Sequence, residues 1–233
     1  MSVTSSPIAH DILVFGRGSD PGPNNSRVLS EMGRLRVDAV KKYIEDNSHR
    51  FARTVRVLFS AGWAANIGLS APDMAYREAK LMDDYAAAIG LKHIPGVLFG
   101  VQTESNSTVT DALFAARSRF FGSWPFPYTK HNPLGIVAQS GPEFAHTGIG
   151  GHMVRCTDAT EKVFQLDQSA LLPIIADGTD PVDAGLSELK AIKLTRVVFK
   201  GAHSDWNIVM RDKALMRTIG VVQKSRKLLH ISR

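Results

Sequence analysis

The polar residues equipped for chemistry fall into four short stretches, each just after an apolar run. Gly16-Arg17-Gly18-Ser19 brings two glycines and a guanidinium to one turn, where backbone N–H groups can cradle a phosphate or carboxylate. Ser60-Ala61-Gly62 offers a hydroxyl and two small residues, so the chain can pass close to a ligand or simply turn tightly. Gln102-Thr103-Glu104-Ser105-Asn106-Ser107-Thr108 is the densest polar cluster, and Glu104 within it is a candidate acceptor or acid–base group. Beyond Ser140, Glu143 and His146 stand three apart and would share a helix face. There a carboxylate and an imidazole can exchange protons, or bind a metal given a third ligand, although most such pairs are ordinary surface residues.

Two further charges interrupt apolar helix faces. Arg36 sits between Met32 and the pair Ala39 and Tyr43, and Glu78 lies three residues after Ala75 and four before Met82. Burying either charge alone is costly, so each requires a partner or a wet cavity. An internal ion pair of Arg36 with Glu78 or with Glu104, tying helix to sheet, meets that requirement. A pocket in which the charges orient a polar ligand meets it too, and both readings hold if the pair forms the pocket floor. Thr108 and Asp111 have the spacing of a capping box, T-x-x-D, which explains them without catalysis.

These residues need elements to position them. An apolar run ending in glycine, 11–16 (DILVFG), reads as a buried strand, and 27–47 then carries Val28, Met32, Leu35, Ala39, Tyr43 and Ile44 at helical spacing. The unit repeats as a strand at 55–60 with a helix at 71–89, then a strand at 96–100 with a helix at 108–121. A strand at 134–139 precedes a Gly-rich stretch (Gly148, Gly150, Gly151) and a short helix, and 162–166 (KVFQL) reads as a fifth strand. Such alternation implies right-handed crossovers and a mainly parallel sheet covered on both faces, a three-layer α/β Rossmann-like fold. Ligands in such sheets lie outside the carboxyl ends of the strands, which selects the loops after Gly16, Ser60, Gly100 and Gln139. Beyond the turn-rich 177–181 (DGTDP), 186–199 and 208–222 read as mostly helical, with 196–199 as an alternative strand. The expected division is an α/β domain over 1–176 and a C-terminal extension, 177–233, packed on the same core.

Bulk properties narrow the field. A chain of 233 residues with 44% apolar content suffices for one well-buried core. No apolar run approaches the roughly eighteen residues of a membrane span, and the segment from Met1 to His10 lacks the pattern of a secretory signal. Cys156 is the single cysteine, which excludes a disulfide framework and a thiolate metal cluster and suits a reducing, cytoplasmic setting. The net charge of +6 owes much to Lys224, Arg226, Lys227 and Arg233, which read as a solvated basic tail. With no basic stripe carrying aromatics, nucleic-acid binding is not expected. Neither G-x-G-x-x-G, Walker, G-x-S-x-G nor H-E-x-x-H patterns occur.

Taken in order, three blocks resemble the YdcF/SanA/ElyC-like family of bacterial domains, over roughly 11–166. The family's first strand and Gly-rich loop are similar to Ile12 through Gly18, and its helix arginine to Arg36. Its Ser-Gly-Gly turn is similar to Ser60-Ala61-Gly62, its S-E-A block to Arg77-Glu78-Ala79, and its Glu-x-x-S/N-T-x-E-N-A block to Glu104 through Thr108, Asp111 and Ala112. Asp111 stands where the family has asparagine. After the fourth strand the family carries a Ser/Thr and then a His and an Arg on a short helix; alignment puts Glu143 and His146 in those last two places. With no membrane anchor in view, the chain looks most like the soluble YdcF branch. That resemblance implies a Rossmann-like domain and S-adenosylmethionine as a possible ligand.

The resulting expectation is a small anionic or zwitterionic ligand, nucleotide-like or S-adenosylmethionine-like, held at the strands' carboxyl ends. Gly16, Arg17, Gly18, Arg36, Ser60, Gly62, Glu78, Glu104, Ser105, Thr108 and Ser140 are the candidate binding residues. Alternatives are a hydrolase or transferase using Glu78, Glu104 or Glu143 (with His146) as acid or base, and a regulatory or assembly protein whose basic extension meets an acidic partner.

Overall fold

A computed structural model of the chain describes residues 6–62, 77–105, 107–140, 151–178, 182–202, 204–215 and 217. Five parallel strands form the central sheet: β1 (Asp11–Phe15), β4 (Val55–Ser60), β5 (Val97–Gln102), β6 (Leu134–Gln139) and β7 (Leu171–Ala176), in the spatial order β5-β4-β1-β6-β7. The helices α1 (Glu31–Asn47), α2 (Glu78–Ala88), α3 (Thr108–Arg117) and α4 (His152–Phe164) complete the layers.

Strand alternation assigns the two faces. Ile12, Val14, Val57 and Phe59 pack against Val37, Val40 and Ile44 of α1 and Ala79, Met82 and Ala86 of α2. Leu13, Phe15, Leu58, Ile136 and Ala138 point the other way, onto Ala112 and Ala115 of α3 and Met153, Cys156 and Ala159 of α4. Both faces are buried, which is why β1, β4 and β6 read as continuous apolar runs. The result is a three-layer α/β fold of Rossmann-like type.

The C-terminal helices lie outside α3 and α4. Val198 of α5 (Val182–Phe199) and Ile208 of α6 (205–215) form a third apolar cluster with Val109 and Leu113 of α3. Arg196–Asp158 and Arg117–Asp205 ion pairs, at 2.7 and 3.0 Å, tie the extension to α4 and α3. The segment 196–199 is therefore helical. Among the described residues no helix is long and apolar enough to cross a membrane.

Two expectations change. The segment 27–47 is not one helix: β3 (Arg27–Leu29) pairs antiparallel with β2 (Ser19–Pro21), and α1 starts at Glu31. Ser30 caps it by accepting the Gly33 N–H at 3.1 Å, whereas residues 27–29 point alternately in and out as strand residues do. The residues 162–166 are not a strand but the last turn of α4 and its left-handed C-cap, Gln165. The fifth strand is instead LLPIIA at β7, where Pro173 is tolerated because β7 lies at the edge of the five-stranded sheet.

Candidate functional site at the carboxyl ends of the strands

From β1 the chain progresses to β4 and β5 on one side, then returns to place β6 and β7 on the other. In open α/β sheets such a reversal leaves a crevice above the carboxyl ends of the two strands that flank it, here β1 and β6. Arg36, from the middle of α1, is completely buried beneath it. Its Nε donates to Gln139 Oε1 at 2.5 Å, and its Nη1 donates to the carbonyls of Phe15 and Gly16, both at 2.7 Å. Gln139, the last residue of β6, in turn donates to the Met32 carbonyl at 2.8 Å. The guanidinium thus pins the end of β1 to the end of β6 and to α1.

The fourth contact reaches α4. Arg36 Nη2 lies 2.8 Å from His152 Nδ1. Guanidinium N–H groups only donate, so Nδ1 accepts and the imidazole carries its proton on Nε2, 3.4 Å from Thr108 Oγ1. Burial first, then the charges of Arg36, Arg155 and Arg17, hold the His152 pKa well below the ordinary histidine value. Cys156, one turn on, places Sγ 3.4 Å from Nδ1.

Glu78 opens α2 and turns its carboxylate to the β1 loop, accepting the backbone N–H of Arg17 and that of Gly18. Burial raises its pKa, while those N–H groups and the charge of Arg36 pull it down. The loops pack tightly here. A Cβ on Gly16 would sit 2.3 Å from Ala61 Cβ and 2.5 Å from Glu78 Oε2, and one on Gly62 would sit 1.7 Å from the Ser105 carbonyl oxygen. Both glycines are thus required for one loop to lie on another.

The first turn of α3 adds a second acid. Asp111 is 7% exposed, and burial lifts its carboxyl well above the usual range. Ser105 and Arg155 oppose that rise, whereas Glu78 and Asp212 add to it. The Ser105 hydroxyl is fully buried beside Asp111, and among the described residues Gln102 Nε2 has no hydrogen-bond partner. Ser60 Oγ is engaged inside the fold, its one proton shared between the Asp111 carbonyl at 2.8 Å and Gln102 Oε1 at 3.0 Å. Its hydroxyl fastens β4 to β5 and α3.

Among the expected site residues, Gly16, Arg17, Gly18, Arg36, Glu78, Ser105, Thr108 and the buried Ser140 come together around this crevice. Glu104 does not join the floor. It is exposed at the end of β5, two strands from β1, and lines a surface cleft with Phe114, Arg117 and Ser118. β5 ends at the inward Gln102, so strand alternation no longer directs Glu104, and the loop beyond carries Ser105 rather than Glu104 into the interior. The capping box also moves by one residue. Ser107 is the N-cap, exchanging hydrogen bonds with Thr110 (Thr110 N to Ser107 Oγ, 3.2 Å; Ser107 N to Thr110 Oγ1, 3.0 Å). That frees Thr108 and Asp111 to face the site. Glu143 and His146 lie outside the described residues.

Sequence reasoning passed over His152, Arg155, Gln139 and Asp212. The signal for α4 was present as His152, Cys156 and Ala159, an i, i+4, i+7 stripe of small or polar groups on the buried face. Among the described residues, no group of three His, Cys, Asp or Glu side chains is arranged to hold a metal ion. Fold and site together define a Rossmann-like α/β protein with a buried cluster of charged groups at its topological switch point. The chain matches no protein-family model and no curated protein.

Proposed function

We propose that the protein binds a small anionic or zwitterionic molecule, nucleotide-like or S-adenosylmethionine-like, in the crevice at the carboxyl ends of β1, β4, β5 and β6. One observation carries this reading. Arg36, Glu78, Asp111 and His152, from four different helices, converge there with at most 7% exposure each. Burying four ionisable groups together is expensive, and such clusters with shifted pKa values concentrate where ligands bind or react. Both poles of a zwitterion find counterparts: a cationic centre beside Glu78 and Asp111, a carboxylate or phosphate beside Arg17 and Arg155. The resemblance to the YdcF-like domains supports the same ligand class. On this reading His152 and Arg155 of α4 supply the His and Arg that the family carries on the helix after its fourth strand.

Isothermal titration of S-adenosylmethionine and of adenosine monophosphate into the wild type, Glu78→Gln and Asp111→Asn tests the proposal. Binding of one of them, weakened about tenfold or more in either variant, is expected. Absence of binding by both, or unchanged affinity in two folded variants, would overturn it.

A second reading is favoured by Asp111 specifically. A carboxyl lifted well above its ordinary value by burial keeps a proton nearer neutral pH and can deliver it to a leaving group. The protein would then be a hydrolase or transferase, with Glu78 as the other acid. Turnover of phosphate esters or nucleotides, abolished by Asp111→Asn while binding persists, distinguishes catalysis from binding alone.

A further inference from the structure

We infer that the C-terminal extension is part of this site, and that Asp212 of α6 is a positioning residue for the first turn of α3. The inference rests on the crevice being the binding site, and it adds to that reading an element from beyond the α/β unit. Ser107 Oγ donates to Asp212 Oδ2 at 2.8 Å while accepting the Thr110 N–H at 3.2 Å. A hydroxyl has one proton, so giving it to Asp212 turns the oxygen's lone pairs to the helix N–H groups, the orientation an N-cap requires. The same turn carries Thr108, 3.4 Å from His152 Nε2, and Asp111, beside the buried Ser105 hydroxyl.

Asp212 is 2% exposed, so this is an interior contact and not a surface one. Packing holds it there. Ile208, one turn earlier on α6, lies in the apolar cluster with Val109 and Leu113 of α3, and Arg211 donates to the Val198, Lys200 and Gly201 carbonyls that join α5 to α6. Arg155 acts on both Asp111 and Asp212 through its charge, so the two acids lie within reach of one guanidinium. A helix that merely covered α3 would need the apolar contacts alone. The buried acid aimed at the α3 cap is what such a cover does not require.

The full-length protein with Asp212→Ala and Asp212→Asn tests the inference without any ligand. Amide hydrogen exchange at Thr110 and Asp111 should rise about tenfold or more in Asp212→Ala, and the 15N resonance of His152 Nε2 should shift as Thr108 moves. Asn retains an acceptor oxygen, so Asp212→Asn should restore both readouts. If Asp212→Ala does not fold, Asp212→Leu replaces it, since leucine fills the buried space, offers no acceptor and leaves the Ser107 cap in place. Wild-type exchange and an unmoved His152 resonance in the folded Ala or Leu variant would overturn the inference, as would failure of Asn to rescue. Failure of S-adenosylmethionine or adenosine monophosphate to bind the wild type would count against the ligand reading alone.

Discussion

Arg36 Nη2 and His152 Nδ1 meet 2.8 Å apart beneath the crevice, joining the helix that precedes β4 to the helix that follows β6. Through that contact one guanidinium couples both halves of the sheet and sets the tautomer of the imidazole above it.

Replacing Arg36 by Met should therefore be far more damaging than an exposed arginine substitution. The Phe15 and Gly16 carbonyls, Gln139 Oε1 and His152 Nδ1 would all lose their donor inside the protein. A loss of about 3–5 kcal/mol in urea unfolding is expected. A loss below about 1 kcal/mol would show that the guanidinium is not the keystone described above.

The site's titrating groups act on stability in opposite directions. His152 has a folded pKa below 6.5, so the unfolded chain takes up the proton first. Its contribution is complete above about pH 6.5 and declines as the pH falls below that. Asp212 is pushed up from 3.8 to about 6, chiefly by burial, so the folded state binds its proton more tightly. Stability therefore falls as pH rises from about 4 through about 6, when a buried carboxyl must ionise. Asp212→Asn should gain up to about 3 kcal/mol over wild type near pH 8, and the difference should vanish near pH 4. Urea titrations at the two pH values measure it, and an equal difference at both would contradict the burial of a charged Asp212.

Gly62→Ala introduces a methyl group 1.7 Å from the Ser105 carbonyl oxygen, with the Thr103 carbonyl 2.7 Å away. Backbone on both sides leaves no side chain to swing aside. A destabilisation of about 3 kcal/mol, visible as a lowered melting temperature, is expected together with weakened ligand binding. A fully stable variant would mean that the two loops do not touch.

The opposite end of the sheet supplies a control. Asp11 accepts from Arg56 at 2.6 and 2.7 Å and from Tyr128 Oη at 3.0 Å, a buried charge cluster at the amino ends of the strands. Tyr128→Phe should cost about 1–2 kcal/mol in unfolding and leave ligand affinity unchanged. A change in affinity would argue that the ligand sits at that end instead.

Much of this was legible in the residues. The continuous apolar runs of β4 and β6 gave those strands to the residue, because both faces of each are covered. Arg36 and Glu78 identified themselves as charges on apolar faces, and both are buried at the site. β7 was hidden by Pro173, which argues against a strand until its edge position is known. The three-residue strands β2 and β3 are too short for any periodicity to register. Asp111 was masked by a capping pattern that Ser107 and Thr110 fulfil. Asp212 had no local signal, because its partner Ser107 is 105 residues away in sequence.

The central claim, a ligand site at the carboxyl ends of β1, β4, β5 and β6, is met most directly by a two-dimensional amide NMR titration of the full chain with S-adenosylmethionine and with adenosine monophosphate. Binding there predicts shift changes concentrated at residues 15–18, 60–62, 102–111, 139–140 and 152–155. Changes centred on Asp11, Arg56 and Tyr128 at the amino ends, or none with either compound at about millimolar concentration, would contradict it.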